Sequence, residues 1–165
     1  MCSDGGDLDQ GGATDSIIGA VIVRTAGPDD VDALATLRAA WREEDATPEF
    51  VATFREWFAR EHGTRTWWIA EVDGAVAGMV NVKTVERMPS PNRPATRWGY
   101  LANLYVLPAH RGSGAGAGLI NAVVEHARAH DFVRLVLAPS ELATPLYNRH
   151  GFRTADELLL LPLET

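Results

Sequence analysis

Residues 97–107 place the strongest constraint on the fold. Two side-chain sets alternate along them: Trp98, Tyr100, Ala102, Leu104 and Val106, then Leu101, Asn103, Tyr105 and Leu107. Both sets are mostly apolar, so the strand has to be covered on both faces and sits centrally in a sheet with a layer on each side. Pro108 then ends the run, and residues 110–118, HRGSGAGAG, bring four glycines to the start of a helix. That helix carries Leu119, Ile120, Val123, Val124 and Ala127 on one stripe and ends near His130. Residues 132–138 follow as a short apolar strand, parallel to the first as a strand-helix-strand unit requires.

The remaining chain supplies the other layers. Residues 21–25 read as a strand, and Gly27-Pro28-Asp29-Asp30 opens a helix with proline and acids where the first turn favours them. Val31, Leu34, Leu37, Arg38 and Trp41 follow at helical spacing. A second helix starts at Thr47-Pro48, carries Phe50, Phe54, Trp57 and Phe58 on one side, and stops at Gly63. Residues 66–72 and 75–87 form an antiparallel hairpin around Asp73-Gly74. Residues 88–94 contain three prolines and form a loop. Pro139-Ser140 starts a short helix, capped by the Ser140 hydroxyl and ended by Gly151. Residues 152–163 are expected to supply the last strand or strands.

Composition narrows the function. The net charge is −7, but four of the acids lie in residues 1–16, which hold no cation; the remainder carries −3. No Lys/Arg run provides the basic footprint of a nucleic-acid binder. Residues 1–16 have almost no apolar side chains and are expected to form a disordered tail, leaving 17–165 as one domain. Cys2 is the single cysteine, which excludes an intrachain disulfide and a thiolate metal cluster and fits a reducing compartment. With no apolar stretch near 20 residues, a soluble cytoplasmic protein without a membrane partner is expected. His126 and His130 lie one helical turn apart but have no third ligand, so no metal site is read there.

The glycine turn carries the chemistry. Small residues at a helix N-terminus expose backbone N–H groups to an anion, the helix dipole adds positive potential, and Arg111 adds a fixed charge. A P-loop is excluded because no Gly-Lys-Ser/Thr occurs. A nucleophile elbow fails because Arg111 stands two places before Ser113. Gly112, Gly114 and Ala117 formally meet a Rossmann pattern, with Asp131 19 residues beyond Gly112. The match is poor, because four residues separate the turn from its strand and Asp131 precedes the next one.

Residues 111–116, RGSGAG, fit R-x-x-G-x-[GA], and residues 143–152, ATPLYNRHGF, fit A-x-x-L-Y-x-x-x-G-F. In this order and spacing they resemble the two signatures of the GNAT N-acetyltransferases, over residues 21–163. The resemblance implies an α/β fold of α+β type: a mixed, mostly antiparallel central sheet, splayed between two parallel strands and flanked by helices on both faces. It implies acetyl-CoA as cofactor and an amine of a small molecule, protein or peptide as acceptor, attacked directly. The cofactor would be bound by Leu104, Tyr105 and Val106, by Arg111, Gly112, Ser113, Gly114, Ala115 and Gly116, and by Ser140 and Tyr147. Tyr147 would be the general acid.

This chain departs from the family pattern in having no carboxylate at residues 97–106, where relatives place a glutamate base. Glu86, Glu44 and Asp45 are the candidate bases, with solvent as the alternative. Ser140 stands where an asparagine is common. The acids of residues 42–45 favour a cationic acceptor, and a homodimer is compatible with this reading. The competing readings are a non-catalytic acyl-CoA-binding module and a Rossmann-type oxidoreductase.

Overall fold

A computed structural model describes residues 20–163. The expected tail, the first residues of the expected domain and the last two positions lie outside that range. The chain forms β1 (Val21–Ala26), α1 (Val31–Trp41), α2 (Pro48–Glu61), β2 (Arg65–Val72), β3 (Ala75–Glu86), β4 (Arg97–Val106), α3 (Ala115–Ala129), β5 (Phe132–Val136) and α4 (Thr144–Arg149). The strands form one sheet in the order β1-β2-β3-β4-β5. Neighbours are antiparallel except β4 and β5, which are parallel.

Local chemistry explains the boundaries. Pro28 opens a 3-10 turn that runs into α1. The Thr47 hydroxyl accepts from the Phe50 N–H and caps α2, with Pro48 in the first turn. Asp73 and Gly74 both have positive φ, 52° and 78°, as the tight turn between β2 and β3 requires.

Two packed layers cover the sheet. Trp67, Ile69 and Met79 face α1 and α2, where Leu34, Leu37, Phe54 and Phe58 are buried. Trp68, Ala70, Val80 and Val82 face α3, where Leu119, Ile120 and Val123 are fully enclosed. Adjacent Trp67 and Trp68 thus serve opposite cores, as strand alternation demands. Gly118 lets α3 lie close on β1, since a Cβ there would stand 3.0 Å from Val23. Among the described residues no helix is long and apolar enough to cross a membrane.

Three expectations fail. Residues 152–163 form no strand, so among the described residues β5 is an edge with β4 as its one ladder partner. The fourth helix begins at Thr144, and the Ser140 carbonyl, not its hydroxyl, accepts the N–H groups of Ala143 and Thr144, each at 3.1 Å. Finally, the alternation along β4 does not hold to its end. Met79 pairs with Tyr105 and Asn81 with Ala102, so β4 carries one extra residue there. The bulge forms around Asn103, whose φ of 57° is left-handed. An inserted residue exchanges the faces beyond it. Leu101 therefore packs with α3, whereas Tyr105 and Leu107 pack with α1 and α2; Leu104 and Val106 turn to the α3 side.

Candidate functional site

The bulge lies where the sheet opens. β4 pairs with β5 only through Arg97↔Phe132, Gly99↔Leu135 and Tyr100↔Val136. From Leu101 to Val106, β4 has β3 on one side and, among the described residues, no strand on the other, so the parallel strands part toward their C-terminal ends. A ligand with amide groups could bond to main chain left open in this way.

The glycine turn stands at the mouth of the gap. Gly112 and Gly114 have φ of 82° and 92°, and a Cβ at either would meet nothing within 4 Å, so open space lies beside them. Ser113 shapes the turn: its N–H donates to the His110 carbonyl, and its hydroxyl accepts from the Ala115 N–H, both at 3.3 Å. Those two amides are occupied. Among the described residues the N–H groups of Gly112, Gly114, Gly116 and Ala117 donate to no protein acceptor, which leaves four donors at the N-terminus of a 15-residue helix. An anion cradle needs such donors. The Arg111 guanidinium bends back toward the Val106 carbonyl at 3.4 Å, tying the turn to the end of β4.

Gly116 is where the parts of the site meet. A Cβ there would stand 3.3 Å from Leu146 of α4 and 3.9 Å from Val106 of β4. Leu104, Val106, Ala115 and Tyr147 belong to one packed cluster. The structure thus brings together the end of β4, the turn and α4. Tyr147 is 7% exposed and lies 5.5 Å from the Phe152 ring. Burial pushes its phenol up to about 12, so it holds its proton at neutral pH. Ser140 is exposed on the loop before α4.

The candidate bases separate. Glu86 pairs across from Arg97, eight residues along β4 from Tyr105, or about 26 Å at ~3.3 Å per residue. The sheet register therefore removes Glu86 from the gap. Residues 42–45 are better placed, because Trp41 at the end of α1 stacks on Tyr105 with ring centroids 5.9 Å apart. The Glu44 N–H donates to the Ala39 carbonyl at 3.1 Å, which holds the connector against the same helix end.

Sequence reasoning missed the Asn103 bulge and the Trp41–Tyr105 stack. The one signal for the first is a lone asparagine in an apolar strand, since asparagine tolerates φ > 0. Nothing in the spacing pairs Trp41 with Tyr105, because the face reversal is what turns Tyr105 toward α1. His126 packs against Trp68 and Phe132 at ring distances of 5.1 and 5.7 Å. Burial first, then neighbouring His130, lowers its pKa. Among the described residues no group of three or more His, Cys, Asp or Glu converges on a metal position.

Comparison with known proteins gives a consistent picture. Residues 31–152 match the family model described as the acetyltransferase (GNAT) family. The chain is 31% identical over 75 residues to the glucosamine 6-phosphate N-acetyltransferase of Trypanosoma brucei brucei, covering 46% of this chain and 51% of that protein. It is 30% identical over 125 residues to N-acetyltransferase 8F1 of Rattus norvegicus, covering 73% and 54%. The chain thus spans about half the length of the curated relatives it matches. Among solved structures, a predicted acetyltransferase from Clostridium acetobutylicum with acetyl-CoA superposes with a TM-score of 0.69 at 23% identity, covering 87% of this chain and 96% of that one. A GCN5-related N-acetyltransferase from Ralstonia eutropha JMP134 superposes at 0.66 with 28% identity, covering 87% and 99%.

Proposed function

Since the chain belongs to the acetyltransferase (GNAT) family, we propose that it is an acetyl-CoA-dependent N-acetyltransferase acting on an amine of a small molecule or peptide. The observation that carries this reading is the convergence at Gly116 of a donor-rich turn, the parted end of β4 and a buried, protonated tyrosine. Acetyl-CoA would supply an activated thioester and a diphosphate handle.

The free N–H groups of Gly112, Gly114, Gly116 and Ala117 hold the diphosphate, while Ser113 and Ala115 fix the shape of the turn. Arg111 adds positive charge at the rim. Main chain at Leu104, Tyr105 and Val106 orients the pantetheine arm along the gap, and the exposed Ser140, on the loop before α4, is a further candidate contact. Positioning supplies most of the acceleration. Tyr147 keeps a proton on its phenol oxygen and donates it to the leaving thiolate. Glu44 or Asp45 beside Trp41, or solvent, receives the proton of the attacking amine. The carboxylates of residues 43–45 favour a cationic acceptor. The lone cysteine fits a cytoplasmic protein.

Release of free CoA during turnover with a panel of amines tests the proposal. Acceptor-dependent release is expected. Tight acetyl-CoA binding with no turnover for any amine would overturn it in favour of a non-catalytic acyl-CoA-binding module.

A further inference from the structure

The chain is acidic overall and has no run of basic residues, yet its topology gathers arginines at one end of the sheet. β3 ends there, β4 and β5 start there, and residues 87–96 join β3 to β4. Arg87, Arg93, Arg97 and Arg134 are exposed and, among the described residues, none of them enters an ion pair. They outnumber Glu86 and Asp131, the carboxylates of the same strand ends. Lys83 is taken by Glu61 of α2 at 2.6 Å. The Arg87 N–H donates to the Thr96 carbonyl at 2.9 Å, and three prolines stiffen the loop that holds Arg93.

This end is continuous with the candidate site along one face of β4. Lys83 stands opposite Tyr100 and Val85 opposite Trp98, so all four side chains share the face on which Lys83 reaches α2. Tyr105, beyond the bulge, is on that face too. Among the described residues Val85, Trp98 and Tyr100 take no part in the core beneath α1 and α2, and Tyr100 is 38% exposed. The Arg134 guanidinium lies over the Trp98 ring, 5.6 Å from its centroid. An open strip thus runs from the Trp41–Tyr105 stack to Arg97, about 26 Å at ~3.3 Å per residue.

We propose that the acceptor is an extended peptide or protein segment whose amine enters the gap and whose acidic residues, about seven to ten positions away, dock on Arg87, Arg93, Arg97 and Arg134. The inference rests on the N-acetyltransferase reading above. An extended chain covers the strip in about eight residues, which sets the spacing. The acids of residues 43–45 attract the charged amine at one end and the arginines attract carboxylates at the other, so a peptide of that polarity is oriented as it binds. Arginine suits the task because its guanidinium pairs with a carboxylate through two N–H groups. A long polyanion such as RNA is disfavoured: the chain carries −7, and the Trp98 ring, on which a base would stack, is already covered by Arg134.

The test measures CoA release by the full chain with twelve-residue peptides that share their first six residues and carry four glutamates, four glutamines or four arginines at positions seven to ten. Each is offered with a free N-terminal amine, or blocked there with a lysine at position one. The glutamate peptide should show kcat/KM about tenfold above the glutamine peptide, mostly through KM, and rising salt should erode the difference. Arg93→Glu with Arg134→Glu should abolish the preference and leave the glutamine peptide within about twofold; Arg93→Gln with Arg134→Gln should weaken it in the same direction. Equal rates for the glutamate and glutamine peptides, a preference for the arginine peptide, or a preference that survives the charge reversal overturns the proposal. So does a twelve-nucleotide oligouridine that inhibits at lower concentration than the glutamate peptide and loses that inhibition on charge reversal, which would assign the arginines to nucleic acid. Turnover of small amines but of no peptide overturns this inference alone, whereas no turnover of any amine overturns the N-acetyltransferase reading with it.

Discussion

At Gly114 the backbone and the proposed ligand make separate demands, and two nearly isosteric substitutions separate them. With φ at 92°, most side chains are strained there, but asparagine and aspartate tolerate left-handed backbone best. Gly114→Asn should retain most acetyl-CoA affinity, whereas Gly114→Asp, with a negative charge among the free N–H groups, should lose a further factor of about ten or more. Isothermal titration of the two variants checks this, and equal affinities would remove the turn from the binding site. Tyr147→Phe should lower turnover with little change in acetyl-CoA affinity, as single-turnover and binding measurements would show. The same residue makes a prediction about stability. Its phenol titrates near 10 when unfolded and at about 12 when folded, so the folded state retains the proton longer. Its contribution is whole below pH 10 and lost as pH rises through 12; relative to Tyr147→Phe, the parent chain should lose stability across that window in denaturant titrations. Glu86→Gln should leave turnover within about twofold, because the register of β3 and β4 holds Glu86 far from Tyr105.

The β4 bulge is the element on which the site depends. Asn103→Gly should be nearly neutral in stability, since glycine adopts φ near 57° freely, while Asn103→Val should cost about 1–2 kcal/mol and depress acetyl-CoA affinity by straightening the strand. Chemical denaturation with ligand titration reads both effects. The bulge also shows where sequence reading succeeds and stops. Periodicity located β4, the helices and the hairpin because side-chain alternation is a local property. It assigned Tyr105 to the face of Leu101, because one left-handed residue reverses the alternation and leaves only an isolated asparagine as its mark. The glycine turn was legible since its donors follow from the helix start itself, yet the use of the Ser113 and Ala115 amides within the turn was not. Glu86 was a plausible base by residue type alone; register, a pairwise property of two strands, decides otherwise. Residues 152–163 have the composition of a strand, but composition cannot supply the neighbour that a strand needs.

Over the whole molecule, the two cores are built on opposite faces of one sheet, and β4 contributes to both. Acetyl-CoA that binds only the folded chain should stabilise it by about 2.7 kcal/mol at a hundred times its dissociation constant. Thermal melts over a ligand series should follow that dependence, with Gly114→Asp displaced to higher concentration. The parting of β4 from β5 after Tyr100 has a dynamic consequence as well. Main-chain amides that face no partner strand exchange their hydrogens with solvent readily. A pantetheine arm lying in the gap would act as a surrogate strand, and deuterium uptake across residues 101–106 should slow when acetyl-CoA is added, while the fully paired β2 is unaffected. The catalytic half of the sheet would thus be finished by the molecule it consumes and opened again each time the product departs.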